Sequence, residues 1–275
     1  MFKLLKESFK RTNKSIILTV PLVIFVLLAE LYISYAKNFI SDIAHMLITI
    51  ATVIVFVSGF MASWFYITKK VLALTDRIFV FEKDRGKANT ELLLSLLNGI
   101  GKLFLPFLGF TCIMVGIYYI MHITASIIIM NYLGSINYEW LSFGILLNPL
   151  ELHNEIINLS KGQELPLSYW MVIMGIGSTI ISFVTMLWIP EIVYSKKNVL
   201  VCLFNCISKL IITFPKSLLL FIFMEVLLIV CAIVSVFCMN NIYLYFLAIL
   251  LFYYLFIYIV VLLYTYYEWS FLKED

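Results

Sequence analysis

Six long apolar stretches constrain this chain of 275 residues more than any other feature of its sequence. A helix of roughly 20 apolar residues crosses a bilayer and satisfies its backbone hydrogen bonds internally. The stretches are continuous, whereas β-barrel strands would alternate between apolar and polar residues. The chain is 63% hydrophobic with a mean hydropathy of +1.04, too apolar for a single soluble core. We predict an all-α, polytopic transmembrane helical bundle. Its spans lie at about 16–36, 43–67, 103–129, 169–190, 211–238 and 242–264.

The lysine and arginine residues lie almost entirely on one side of these predicted spans. Of the 19 basic residues, all but Lys37 and Lys161 fall on the side that carries both termini. Basic residues concentrate on the cytoplasmic side of membrane proteins, so both termini are predicted to be cytoplasmic. The residue usage, rich in Ile, Lys, Asn, Tyr and Phe, indicates a low-GC genome. The predicted loops are 68–102 and 191–210 inside and 131–168 outside.

Weak internal repetition indicates how the spans are arranged. Basic stretches lead to Pro21, Pro106 and Pro215, each placed early in an outward-running span, where proline disturbs a helix little. We predict three helical hairpins, each prefaced by an amphipathic helix at the cytoplasmic interface. The alternative is convergent chemistry, because Lys and Trp favour span ends in any membrane protein. The outside loop is predicted to hold an interfacial or re-entrant helix, with Tyr138 and Trp140 at headgroup level.

Two carboxylates interrupt the apolar spans. Glu30 and Glu225 follow Pro21 and Pro215 in similar stretches, and both lie about 14 residues into their spans. At 1.5 Å per residue that is a depth of roughly 21 Å in a core about 30 Å thick. Ionisable groups at such depth are candidate functional sites, and His122 is the basic group expected nearby. A structural role, in which a neutral Glu hydrogen-bonds to another helix, explains the same residues.

Other patterns point to packing rather than chemistry. The pairs Gly59/Ser63 and Gly175/Thr179 have the spacing that lets two helices approach closely. No HExxH, P-loop or Rossmann glycine motif occurs, and the three histidines lack metal-ligand spacing. We therefore expect no catalytic residues, no cofactor and no metal site. The net charge of +3 is explained by membrane orientation and does not indicate nucleic-acid binding.

The stretch Trp188 to Phe221, "WIPEIVYSKKNVLVCLFNCISKLIITFPKSLLLF", resembles an element of bacterial six-span membrane proteins of unassigned role. These are related to the membrane domain fused to some glycerophosphodiester phosphodiesterases. The residues that fit the outline are Pro190, Lys196, Lys197, Ser208 and Lys209, and Glu191 stands where an apolar residue is expected. The resemblance implies a membrane scaffold in the cytoplasmic (inner) membrane of a prokaryote and transfers no catalytic residues.

These observations predict a non-enzymatic integral membrane protein that serves as a scaffold or accessory to membrane partners or lipid. Its predicted partners are the bilayer itself and anionic lipid at the cytoplasmic face. The alternative is a small transporter or channel-like protein that uses Glu30 and Glu225.

Overall fold

The structure, a computed structural model, describes residues 1–36, 43–75, 82–133, 149–195, 197–238 and 241–272. Within these ranges all regular secondary structure is helical, as predicted. The elements are α1 (Phe2–Lys14), a 3₁₀ turn (Ile16–Leu18), α2 (Thr19–Ala36), α3 (Ile43–Thr75), α4 (Glu82–Leu133), α5 (Pro149–Thr185), α6 (Trp188–Ser195), α7 (Val199–Ile212), α8 (Phe214–Cys238) and α9 (Ile242–Phe271).

Six helical segments are long and apolar enough to cross a bilayer, in agreement with the predicted number of spans. They are Ile16–Ala36, Ala44–Leu74, Ser95–Tyr132, Ser168–Ser195, Phe214–Cys238 and Tyr243–Phe271. The first has 21 residues, which at 1.5 Å per residue is just sufficient for a hydrocarbon core of about 30 Å. By length and composition, the chain is a multi-pass helical membrane protein.

The helices run far into stretches that we predicted as loops. Helix α3 continues to Thr75 and α4 begins at Glu82, so most of the predicted loop 68–102 is helical. Loop 191–210 is also largely helical, because α6 and α7 occupy it. Hydropathy marks only the apolar part of a helix, whereas a helix continues wherever its residues favour it. The helices thus extend beyond the apolar stretches, and the predicted limits of the membrane spans stay a prediction.

The predicted outside loop shows the same difference. Helix α5 begins at Pro149, so the second half of the 131–168 stretch is helical and continuous with the fourth span. The predicted interfacial or re-entrant helix around Tyr138 and Trp140 lies outside the described residues.

The prolines fit their predicted place in two spans out of three. Pro21 and Pro215 lie in the first turns of α2 and α8, where no intrahelical donor is needed. Pro106 lies inside α4, because that helix starts at Glu82 and not at the membrane boundary. The prediction was wrong at Pro106, since the apolar stretch is preceded by more than five helical turns of the same helix.

Buried side chains concentrate at one end of the bundle, which we call the basal layer. It consists of α1, the 3₁₀ turn, α6, α7 and the parts of α3 and α9 that contact them. Trp64 and Trp188 are fully buried there. The indole nitrogen of Trp64 donates to the Leu18 carbonyl at 3.0 Å, and that of Trp188 donates to the Val199 carbonyl at 2.9 Å. Both tryptophans thus donate hydrogen bonds to backbone carbonyl groups at points where the chain turns.

Helices α3 and α4 pack closely along each other through a glycine. A Cβ atom built on Gly99 would lie 2.8 Å from the Ala62 carbonyl oxygen and 2.9 Å from the Ser63 Cα. The hydroxyl of Ser58 donates across the same interface to Thr111 Oγ1 at 3.1 Å. Close approach through small residues is the usual basis of helix association in membranes.

The close approaches differ from those expected from residue spacing. Ser63 takes part in one, but a Cβ on either Gly59 or Gly175 would meet nothing within 4 Å. In α5 it is Gly177 that faces another helix, through Met121 of α4. Helices α4 and α5 contact each other, as do α8 and α9, and the division of the six spans into three hairpins stays a prediction.

We expect Gly99→Ala to destabilise the protein, because the added methyl group meets the backbone of α3. The matched control is Gly101→Ala in the same helix, where a Cβ meets nothing within 4 Å. Alanine exceeds glycine in helix propensity by about 1 kcal/mol, so the control keeps or gains stability. Thermal unfolding in detergent measures both, and equal melting temperatures would contradict the packing described here.

Candidate functional site

The carboxylate of Glu191 is the centre of a buried polar cluster in the basal layer. Glu191 Oε2 accepts hydrogen bonds from Lys209 Nζ and from the Tyr267 hydroxyl, both at 2.6 Å. The other oxygen accepts from Asn205 Nδ2 at 3.2 Å. The carboxylate side chain is 3% exposed and the lysine 25% exposed. A charge so deeply buried is stable only when it is paired and hydrogen-bonded, and here α6, α7 and α9 all contribute.

A second carboxylate, Glu268, joins the beginning of the chain to its last helix. Glu268 Oε2 accepts from Arg11 Nη1 at 2.7 Å, and Oε1 accepts from the Tyr194 hydroxyl at 2.5 Å. Arg11 is buried and also contacts Glu7, with 3.7 Å between Nε and the carboxylate. Because the two charges of the short ion pair come from α1 and α9, α1 and the C-terminal part of α9 lie at the same end of the bundle.

Stacked tyrosines connect the two carboxylate clusters. The rings of Tyr194 and Tyr267 lie 5.3 Å apart at an angle of 18°. Lys69 of α3 places its Nζ 4.2 Å from the centre of the Tyr194 ring and donates to the Val193 carbonyl at 3.2 Å. We call the connected set the carboxylate network. It comprises Arg11, Lys69, Glu191, Tyr194, Lys209, Tyr267 and Glu268.

Local sequence explains why these side chains point the same way. Glu191 and Tyr194 are three residues apart in α6, and Tyr264, Tyr267 and Glu268 follow the same three- and four-residue spacing in α9. Glu191 lies in the first turn of α6 and Lys209 in the last turn of α7, where the helix dipoles favour their charges.

The turn between α6 and α7 is stabilised by a helix cap. The side chain of Asn198 accepts from the Leu200 backbone at 3.1 Å and begins α7. This cap fixes the start of the helix that carries Asn205 and Lys209.

An open cleft of about 500 Å³ borders the Glu191 side of the network. Its walls carry charged groups, hydroxyl groups and an amide, and carbon atoms make up most of the accessible wall surface, so it suits a partner that has both polar and apolar groups. The cleft is lined by Glu191, Tyr194, Ser195, Lys197, Asn205, Ser208, Lys209, Tyr267 and Leu272.

Two buried cysteines lie beside the cleft. Burial raises the pKa of the Cys202 thiol, and burial raises that of Cys206 to about 12. The thiolate is the nucleophilic form of cysteine, and burial disfavours that form in both residues. Cys206 instead donates to the Val184 carbonyl at 3.4 Å, as expected of a buried structural thiol.

The three residues predicted from the sequence lie elsewhere in the bundle. Glu30 is exposed on α2, which contacts α3 and α9, whereas Glu225 is half-buried on α8, which contacts α7 and α9. His122 on α4 stacks edge to face against Trp170, with 5.7 Å between the ring centres. Among the described residues, no hydrogen bond or ion pair joins Glu30 to Glu225. Their role as a pair stays a prediction.

The carboxylate network was largely missed by reasoning from the sequence. Glu191 was visible as a charged residue at a position where an apolar one is expected, and Lys209 as part of the same outline. Arg11 and Glu268 read as ordinary charges near the ends of spans. Nothing in the sequence relates two residues that are 257 positions apart.

We expect Lys209→Met to lower the free energy of unfolding by about 3 kcal/mol, because it leaves the Glu191 carboxylate buried without its cation. The double variant Glu191→Leu/Lys209→Met should recover most of this loss, since no unpaired charge remains. The exposed Lys216→Met is the matched control and should change stability by less than about 0.5 kcal/mol. Equilibrium unfolding in mixed detergent gives the values. Strictly additive losses in the double variant would contradict the pairing.

No family model, curated protein or solved structure matches this chain. We therefore infer the function from the carboxylate network and the cleft beside it.

Proposed function

We propose that the protein is a non-enzymatic integral membrane protein that serves as a scaffold or accessory to membrane partners or lipid. The observation that carries this proposal is the carboxylate network, which ties α1, α3, α6, α7 and α9 into one layer beside an open cleft. A binding surface made of fixed elements loses little conformational entropy when a partner docks.

The chemistry of the network supports a structural use of its charges. Glu191 accepts hydrogen bonds from Lys209 and Tyr267, and Glu268 accepts hydrogen bonds from Arg11 and Tyr194. A general base needs a carboxylate that is free to accept a proton from a substrate. Both carboxylates instead accept short bonds from neighbouring helices, which favours a scaffold over a catalyst.

The finer architecture belongs to the same proposal. Both termini lie on the cytoplasmic side of a prokaryotic inner membrane, in keeping with the excess of Lys and Arg at the basal layer. The six spans form three hairpins, and α1 and α7 are the interfacial helices of that face. The resemblance of Trp188 to Phe221 to membrane domains of six-span bacterial proteins fits a scaffold.

Site-specific photocrosslinking tests the scaffold. A photoreactive amino acid at Ser208, which is exposed in the cleft, should give a discrete protein adduct in native membranes. The same amino acid at Leu251, which is exposed on α9 outside the cleft, is the control and should give none. If Ser208 gives no protein adduct, or if both positions give the same adducts, the proposal that this cleft docks a protein partner is wrong.

A small transporter is the second candidate, and Glu225 favours it. This half-buried carboxyl lies inside an apolar span and makes no side-chain hydrogen bond within the described part of the chain. Intramembrane carboxyls of this kind relay protons or bind cations in transporters.

Flux through proteoliposomes decides the transporter question. If the protein is a transporter, we expect proton or cation flux that falls at least about tenfold in Glu30→Gln or Glu225→Gln, because neutral amides cannot exchange a proton. Glu7→Gln, outside the spans, is the control. Absence of flux, or flux that both span variants retain, would reject this candidate.

A further inference from the structure

A second cleft, of about 580 Å³, lies between α1 and the end of α9, and we call it the lysine cleft. It is separate from the cleft beside Glu191 and shares none of its lining residues. Its walls are basic on the α1 side and aromatic on the α9 side. The lining residues are Lys3, Lys6, Glu7, Phe9, Lys10, Asn13 and Trp269.

The lysines of this cleft lie on one face of α1. Lys3, Lys6 and Lys10 are spaced by three and four residues, which places them within one side of a helix. All three are exposed, and no carboxylate of the described residues lies within 4 Å of their amines. The cleft's own carboxylate, Glu7, is directed to Arg11 at 3.7 Å. The cleft is therefore strongly positive.

Helix α1 is held firmly in place, so the lysines are presented on a fixed frame. The Arg11–Glu268 ion pair ties it to α9, and the Tyr254 hydroxyl donates to Asn13 Oδ1 at 2.7 Å. The ring of Phe9 meets Tyr254 edge to face at 6.4 Å. A cationic surface on a rigid helix loses little conformational entropy when it binds an anion.

The surroundings of the cleft indicate an anion that carries an apolar part. Phe2 and Phe9 are 81% and 53% exposed, and Ile16 and Ile17 directly after α1 are 59% and 50% exposed. The first membrane span begins at Ile16. Lys10, at the C-terminal end of the lysine face, precedes this point by six residues, and phospholipid phosphates lie at the boundary where a chain enters the apolar band.

We propose that the lysine cleft binds the phosphate headgroup of an anionic phospholipid, with Trp269 and Phe9 as its aromatic wall. This inference rests on the proposed membrane scaffold and names the lipid class that the scaffold takes at its basal layer. The positive charge of the cleft calls for an anion. The exposed aromatic and aliphatic side chains beside the lysines suit acyl chains, which favours a lipid over an acidic protein segment.

The experiment measures retained lipid on the full chain by native mass spectrometry. The protein is reconstituted in vesicles of phosphatidylcholine with an equal amount of phosphatidylglycerol and is then released in a nonionic detergent. We expect phosphatidylglycerol to be retained in preference to phosphatidylcholine. Each Lys near an anionic surface contributes about 1 kcal/mol, so Lys6→Gln/Lys10→Gln should reduce that preference by at least about tenfold.

The control removes the same charge elsewhere. Lys70→Gln/Lys216→Gln changes two exposed lysines outside the cleft and should keep the preference for phosphatidylglycerol. Lack of any preference, which an acidic protein partner would predict, or an equal loss in both double variants, would overturn the proposal.

Inorganic phosphate distinguishes a lipid headgroup from a free anion. Millimolar phosphate should leave the retained phosphatidylglycerol unchanged, because it lacks the acyl chains, and complete displacement would overturn the lipid assignment. Failure of this experiment is distinct from failure of the scaffold proposal, since adduct formation at Ser208 reports on the other cleft.

Discussion

The carboxylate of Glu191 is almost completely buried, and the packing of the basal layer depends on how its negative charge is neutralised. An ion transferred from water into a protein interior costs several kcal/mol unless close partners restore what hydration provided. Lys209, Tyr267 and Asn205 do so from two different helices. Because these bonds join α6 to both α7 and α9, the need to neutralise the buried charge constrains how the three helices pack.

The spans themselves constrain the fold less. Leu31, Val236 and Phe237 are among many apolar side chains that remain largely exposed along them, at 67%, 62% and 79%. Lipid tails are as apolar as these residues, so burying them against another helix gains little beyond van der Waals packing. Polar bonds at the basal layer and close contacts such as that of Gly99 therefore select which helices are neighbours.

The sequence predicts the coarse fold well and the site poorly, for physical reasons. Hydropathy over a window of about 20 residues responds directly to the membrane, which is why the six spans were found. The limits of the helices were missed because polar turns such as Glu82 to Asn89 continue a helix without any apolar signal. Residue spacing suggested close packing at Gly59 and Gly175, but which face of a helix meets a neighbour depends on tertiary structure.

The site was harder to predict because the presence of a charged residue does not show with which residue it forms an ion pair. Glu30 and Glu225 attracted attention as carboxylates inside apolar stretches. Glu191 and Glu268 lie near span ends, where a charge is ordinarily solvated, and only their contacts with Lys209 and Arg11 give them importance.

The Arg11–Glu268 ion pair has a consequence for how the chain is made. Its two residues are separated by 257 positions, and synthesis proceeds from the N-terminus. Arg11 is therefore translated long before its carboxylate exists, and α1 waits without this partner while the intervening spans enter the membrane. The basal layer is completed only after α9 has been synthesised, so a helix made late in translation fixes the position of one made much earlier.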